Sequence, residues 1–329
     1  GTVKIHVSAI FKALNVTSLI LIGISVLGAA VLPAVPVNPA VELRDELSGF
    51  WPSVIALTLA ALDLSLCAAF FGNARYTLLA AGLFIAPFTL TVGRWLAMAD
   101  VNQSLSWITA ALQALALVYV GLAVLVSKSK NHSTPLYLWA HVLIPVALLI
   151  IATDGDAKNW SNVPALVAIG IAILTYLASF LLQDSRRHPS LAGLATGLPI
   201  LGIGKAIFLW PIALLLPIWT ATLQNGTDLP PTWLGAIWSG LGLAYIGIGQ
   251  WLKKRSWEYR LPFHVFTYLL CGIGIASATP EQYALLTALL VTVISAALLA
   301  WLYNRVAETV LASLLFIWPF QLMLDIFKV

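Results

Sequence analysis

Apolar residues in this chain come in long runs broken only by short polar turns. From Phe50 to Phe71 the sole charged residue is Asp63, and from Trp107 to Ser127 there is none. The runs lack the period-two alternation of a half-exposed strand and the polar stripe of a soluble amphipathic helix. A hydrocarbon core about 30 Å thick takes roughly 20 apolar residues per helix. That rule gives eleven candidate spans, at 15–35, 53–72, 76–98, 106–127, 135–152, 162–183, 190–210, 232–252, 261–278, 281–303 and 306–327. Inside lipid each backbone group must bond within its own segment, so these runs are expected to be helices despite their many β-branched residues. The stretch 190–217 exceeds one span, and Pro211 and Pro217 are expected to turn its end out along the interface. The connecting loops are short and rich in Pro, Gly, Asn and Asp, as at Pro36–Pro39, Asp154–Asp156 and Asn225–Asp228.

Composition turns this pattern into a class. Of 329 residues, 60% are hydrophobic and only 9% charged, and the mean hydropathy is +0.95. A soluble domain carries about 25% charged residues, so most of this surface is expected to face lipid. A water-soluble enzyme, a disordered chain and a disulfide-stapled secreted domain are excluded. The two cysteines, Cys67 and Cys271, lie inside apolar runs and offer neither a disulfide framework nor a metal cluster. The fold class is an all-α polytopic integral membrane protein.

Charge then sets the orientation. The net charge of +4 would hint at nucleic acid in a soluble protein, but here the basic residues alternate from loop to loop. One side holds Lys4, Lys12, Arg75, Lys128, Lys130, Arg186, Arg187, Lys253, Lys254, Arg255, Arg260 and Arg305, twelve of the seventeen cations. The other holds Arg44, Arg94, Lys158, Lys205 and Lys328 together with most of the acids. Basic loops stay in the cytoplasm. The N-terminus, including a cytoplasmic segment at 1–14, is therefore expected inside and the C-terminus outside, in a plasma or bacterial inner membrane.

The chain also repeats. Trp107, Tyr119 and Gly121 recur as Trp233, Tyr245 and Gly247, and basic turns follow in both copies. Pro87, Pro199 and Pro319 fall near the middle of the last helix of each unit. We expect parallel four-helix repeats at 106–217 and 232–327, with an incomplete repeat of three transmembrane helices at 15–98. The missing first helix, and Gly1 where a Met would start, lead us to expect a longer parent chain.

Few residues in the spans carry chemistry. Asp63 lies near the bilayer midplane, where a charge costs at least ~2.5–3.5 kcal/mol and marks a functional site by default. A protonated, hydrogen-bonded Asp is the simpler reading. Lys205 is a candidate partner, although at ~1.5 Å per residue it lies far enough along its helix to snorkel to the headgroups. His141 falls within a span and His264 near an interface; they are out of register, which argues against a haem clamp. Gln113 completes the candidate intramembrane polar set of Asp63, His141, Lys205 and Gln113. Tryptophans at span ends form an aromatic belt, and Gly193-x-x-x-Gly197 is a close-packing pattern. The basic cluster Lys253-Lys254-Arg255 with Arg260 would suit anionic headgroups, but topology already accounts for it. No hydrolase, metalloprotease or nucleotide-binding motif is present.

The sequence thus favours a non-catalytic integral membrane module, not an enzyme and without cofactor. It would serve as an anchor or scaffold in a larger membrane assembly, or as the membrane part of a longer chain. Its partners would be the lipid bilayer and other membrane proteins, not nucleic acid. The alternative is a permease or channel for a small, apolar or lipid-like solute with Asp63 as its intramembrane polar site.

Overall fold

The computed structural model describes residues 23, 50–101, 104–153, 163–182, 204–304 and 306–327, without the side chains of residues 104, 130, 204 and 205. The described residues are helical apart from their turns, with no strand among them. They fall into two compact units, divided between Asp154 and Gly155. The first contains α1 (Phe50–Phe71), α2 (Ala74–Met98), α3 (Ser104–Leu125) and α4 (Lys130–Thr153). The second contains α5 (Val163–Leu182), a 3-10 turn (Gly204–Phe208), α6 (Leu209–Gln224), α7 (Trp233–Lys253), α8 (Trp257–Ala278), α9 (Gln282–Tyr303) and α10 (Val306–Phe327).

Nine helical segments among the described residues are long and apolar enough to cross a membrane. This is the architecture of a multi-pass helical membrane protein. Helix α7 has the same length but is not among the nine; five glycines, three tryptophans and Tyr245 make it less apolar. It also packs against α6, α8 and α9, so less of it needs to suit lipid. Apart from residue 23, the span expected at 15–35 lies outside the described residues, as do 190–203 and with them the Gly193–Gly197 pattern. From 204 onward the chain departs from the sequence reading. Pro211 and Pro217 do not end a helix but lie within α6, and 206–224 is itself one of the nine candidate spans. Pro211 sits in the first turn of α6, where no N–H donor is required.

In the first unit α1 and α2 form a tight hairpin. Gly72 adopts φ +61°, a left-handed conformation suited to glycine, and donates its N–H to the Ala68 carbonyl at 2.9 Å. Asn73 caps α2 by accepting from the Arg75 N–H at 3.0 Å. Small residues Ala60, Ala61 and Ala68 of α1 are buried, and Leu64, Cys67 and Ala68 pack with Tyr76 and Ala80 of α2. Helix α2 also packs on α3 and α4, which pair with each other.

In the second unit the closest pair is α7 and α8. A Cβ on Gly235 would fall 2.2 Å from the Gly274 carbonyl oxygen, and one on Gly274 would fall 2.6 Å from the Gly235 carbonyl oxygen. Backbone therefore meets backbone, as small residues allow between membrane helices. Helix α9 packs on α7 and α8, and α10 packs on α9. Asn304 makes the α9–α10 turn at φ 50°, a conformation asparagine tolerates.

Candidate functional site

The buried and half-buried polar side chains of the helices reach mostly for backbone carbonyls. In the first unit the Tyr119 hydroxyl donates to Ala81 O at 2.7 Å, and the Trp139 indole N–H donates to Leu78 O at 2.8 Å. In the second, Tyr245 donates to Ala213 O at 2.9 Å and Trp238 to Pro217 O at 3.2 Å. Ala213 is four residues before Pro217, so its carbonyl is the one that the proline deprives of a helical partner. Tyr245 supplies the missing donor. Tyr119 and Tyr245, 126 residues apart, each donate to a backbone carbonyl of the preceding helix, though only Ala213 lies four residues before a proline.

Of the four residues singled out from sequence, Asp63, Gln113 and His141 belong to the first unit and Lys205 to the second. Asp63 is half-buried on α1, whose packing partner is α2. Gln113 and His141 belong to the α3–α4 pair. Gln113 is fully buried and its amide donates to Ile144 O at 3.1 Å, while its Oε1 has no hydrogen-bond partner among the described residues. His141 turns back on its own helix, its Nδ1 lying 2.8 Å from Tyr137 O. Lys205 stands in the 3-10 turn of the other unit, and its side chain lies outside the described residues.

Two cavities are better defined. An apolar groove of about 630 Å³ runs between α1, α2, α3 and α4, walled by residues such as Ala61, Phe84, Leu115 and Leu122. Its volume is in the ~300–1,000 Å³ range of ligand sites. Near the end where Thr77 Oγ1 and His132 Nδ1 lie 2.8 Å apart, Asn131 donates to the Gly72 carbonyl at 2.6 Å. Those contacts bring the turns carrying Arg75 and Lys128 to the same end of the unit.

The second cavity, about 190 Å³, lies in the other unit between the ends of α8, α9 and α10. Tyr303 is its centre. The Gln250 amide of α7 donates to the Tyr303 hydroxyl, which lies 3.1 Å from His264 Nε2. Arg260 and Lys253 pack over the Tyr303 ring at 4.9 and 5.5 Å from its centroid. Gly249 leaves room for the His264 imidazole, which a Cβ there would meet at 2.9 Å. Across the cavity Glu308, buried in the first turn of α10, accepts from the Tyr268 hydroxyl at 3.4 Å. At the opposite end of the unit Glu281 accepts from the Thr232 hydroxyl and from the Trp233 indole. The sequence reading takes Lys253 and Arg260 as parts of one basic cluster and His264 by itself, and misses Gln250, Tyr268, Tyr303 and Glu308. The only signal was aromatic and polar residues near basic turns, which an aromatic belt explains equally well.

No group of three or more His, Cys, Asp or Glu able to hold a metal ion occurs among the described residues. Comparison with protein-family models, with curated proteins and with solved structures finds no match to this chain.

Proposed function

We propose that this chain is a non-catalytic membrane module, an anchor or scaffold within a larger membrane assembly or the membrane part of a longer chain. The observation that carries the reading is what the buried and half-buried polar groups do. Tyr119, Trp139, Trp238 and Tyr245 bind helix to helix through backbone carbonyls, which builds a rigid support. Helix α10 adds to it. Only Glu308, Ala312 and Pro319 are buried along its 22 residues, and Leu314, Phe316, Ile317 and Phe320 are exposed. Such a face suits lipid or an apolar partner helix.

The proposal includes eleven spans in parallel four-helix units, with the N-terminus in the cytoplasm and the C-terminus outside. It is supported by the 126-residue spacing that relates Trp107, Gln113 and Tyr119 to Trp233, Ser239 and Tyr245. The gathering of Lys253, Arg260 and Asn304 at one end of the second unit, with Glu281 at the other, supports the one-sided basic loops. A photo-crosslinking amino acid at Phe320, activated in the native membrane, tests the scaffold role. We expect an adduct to a second polypeptide; adducts to lipid alone, at Phe320 and at Leu314, would contradict it.

The apolar groove in the first unit favours a second reading, a permease for an apolar or lipid-like solute. Asp63→Asn separates the two. The scaffold account predicts unchanged membrane abundance and complex formation and no transport phenotype. A loss of solute flux in reconstituted vesicles, with the protein folded, would favour the permease.

A further inference from the structure

The apolar groove of the first unit lies in one half of its helices and ends at a basic mouth. On α3 its lining runs from Leu115 to Val126, and on α2 from Thr77 to Phe84. Eleven residues at ~1.5 Å each give the α3 wall a depth of roughly 16 Å, about half of a ~30 Å hydrocarbon core. That is the depth of one lipid leaflet. Leu62, Val118 and Leu122 line the groove and are exposed, so it opens sideways towards lipid. At one end Thr77 and His132 turn the wall polar. Arg75 stands two residues before Thr77, and Lys128 two residues after Val126. No acid occurs between Asp63 and Asp100 or between Asp100 and Asp154, so no carboxylate of α2, α3 or α4 offsets the positive charge there.

We propose that this groove holds one acyl chain of an anionic phospholipid, with its phosphate at the end that carries Arg75 and Lys128. Lipid tails are as apolar as the groove wall, so the chain's burial gives the lipid a place but no preference. Preference comes from charge. Basic residues at a membrane surface attract anionic headgroups, and a guanidinium matches phosphate oxygens through paired N–H donors. A zwitterionic headgroup brings a cation to the same basic end and gains less. The change from apolar wall to Thr77 and His132 falls where a lipid's own chain gives way to its polar head. The inference depends on membrane embedding and is independent of the scaffold role. It differs from the permease reading in that the lipid is retained and not passed across.

The test places the full chain in phosphatidylcholine nanodiscs with a trace of phosphatidylglycerol carrying a photoreactive diazirine in its acyl chain. Adducts are mapped by peptide mass spectrometry. We expect labelling at Leu62, Val118 and Leu122 to exceed that at Leu314 and Phe316 on α10 several-fold. Adding unlabelled phosphatidylglycerol should remove the groove adducts, whereas the same amount of phosphatidylethanolamine, which is zwitterionic, should leave most of them. Arg75→Gln combined with Lys128→Gln should bring groove labelling towards the α10 level, while Lys254→Gln in the other unit should not change it. Val118→Trp, at an exposed position, should displace the chain and reduce labelling at Leu62 and Leu122 several-fold. Equal labelling of the groove and α10, or equal displacement by the two lipids, would overturn the proposal. So would undiminished groove labelling in the folded double variant or in Val118→Trp. Should the double variant not fold, the lipid competition and Val118→Trp decide. A groove covered by a second polypeptide, or by the chain's own segment at 15–35, would give no lipid adducts there and overturn it equally.

Discussion

Gly235→Val is expected to separate α7 from α8 and to cost the protein more stability than any other single substitution considered for that helix. The added Cβ alone would stand 2.2 Å from the Gly274 carbonyl oxygen and 2.9 Å from the Ala278 Cβ. Neither obstacle can swing aside, since one is backbone and the other is rooted in it. Overpacking of this kind costs about 1–3 kcal/mol, and valine's two γ-carbons place it at the upper end. Gly240 and Gly247 lie on the same helix but have no atom within 4 Å of an added Cβ. Alanine at either of them is expected to be neutral or to stabilise by up to about 1 kcal/mol through helix propensity. Thermal unfolding of the purified protein in detergent checks both. Equal losses at Gly235, Gly240 and Gly247 would mean that the close approach to Gly274 is not what holds α7 to α8.

Tyr245→Phe carries the second largest expectation. The tyrosine is fully buried, and its hydroxyl is the donor to the Ala213 carbonyl that Pro217 leaves without a helical partner. Side-chain hydrogen bonds between membrane helices are worth about 0.6 kcal/mol on average and up to ~1.7. This one should lie near the top of that range, because the orphaned carbonyl has no helical N–H to return to. Pro217→Ala changes the outcome. An N–H restored at position 217 can bond Ala213 O within the helix, so Tyr245→Phe should cost less in that background. A double-mutant cycle in a mild unfolding titration measures the difference. The same cost in both backgrounds would show that the hydroxyl does not stand in for the missing helical bond.

The helices were legible because lipid imposes a length on them. The runs read at 53–72, 76–98, 106–127 and 281–303 appear as α1, α2, α3 and α9, with ends shifted by a few residues. The stretch around Pro211 was misread for a physical reason. In water a proline ends a helix, whereas here Pro211 falls in the first turn of α6, and Tyr245 serves the carbonyl that Pro217 orphans. Nothing in the local sequence around residue 217 announces a donor 28 positions away. The cavity at Tyr303 was hidden in the same way. Gln250, His264 and Tyr303 come from three helices, and each looks ordinary where it stands in the chain. Asp63 was the opposite case, conspicuous as the one charge in its run and, in the structure, a half-buried residue on α1, while Gln113 and His141 belong to the α3–α4 pair.

The native mass of the protein, extracted in mild detergent from its own source membrane, tests the scaffold account most directly. The account predicts a particle well above the 35.4 kDa of the chain, containing other polypeptides. A lone monomer or homodimer would contradict it.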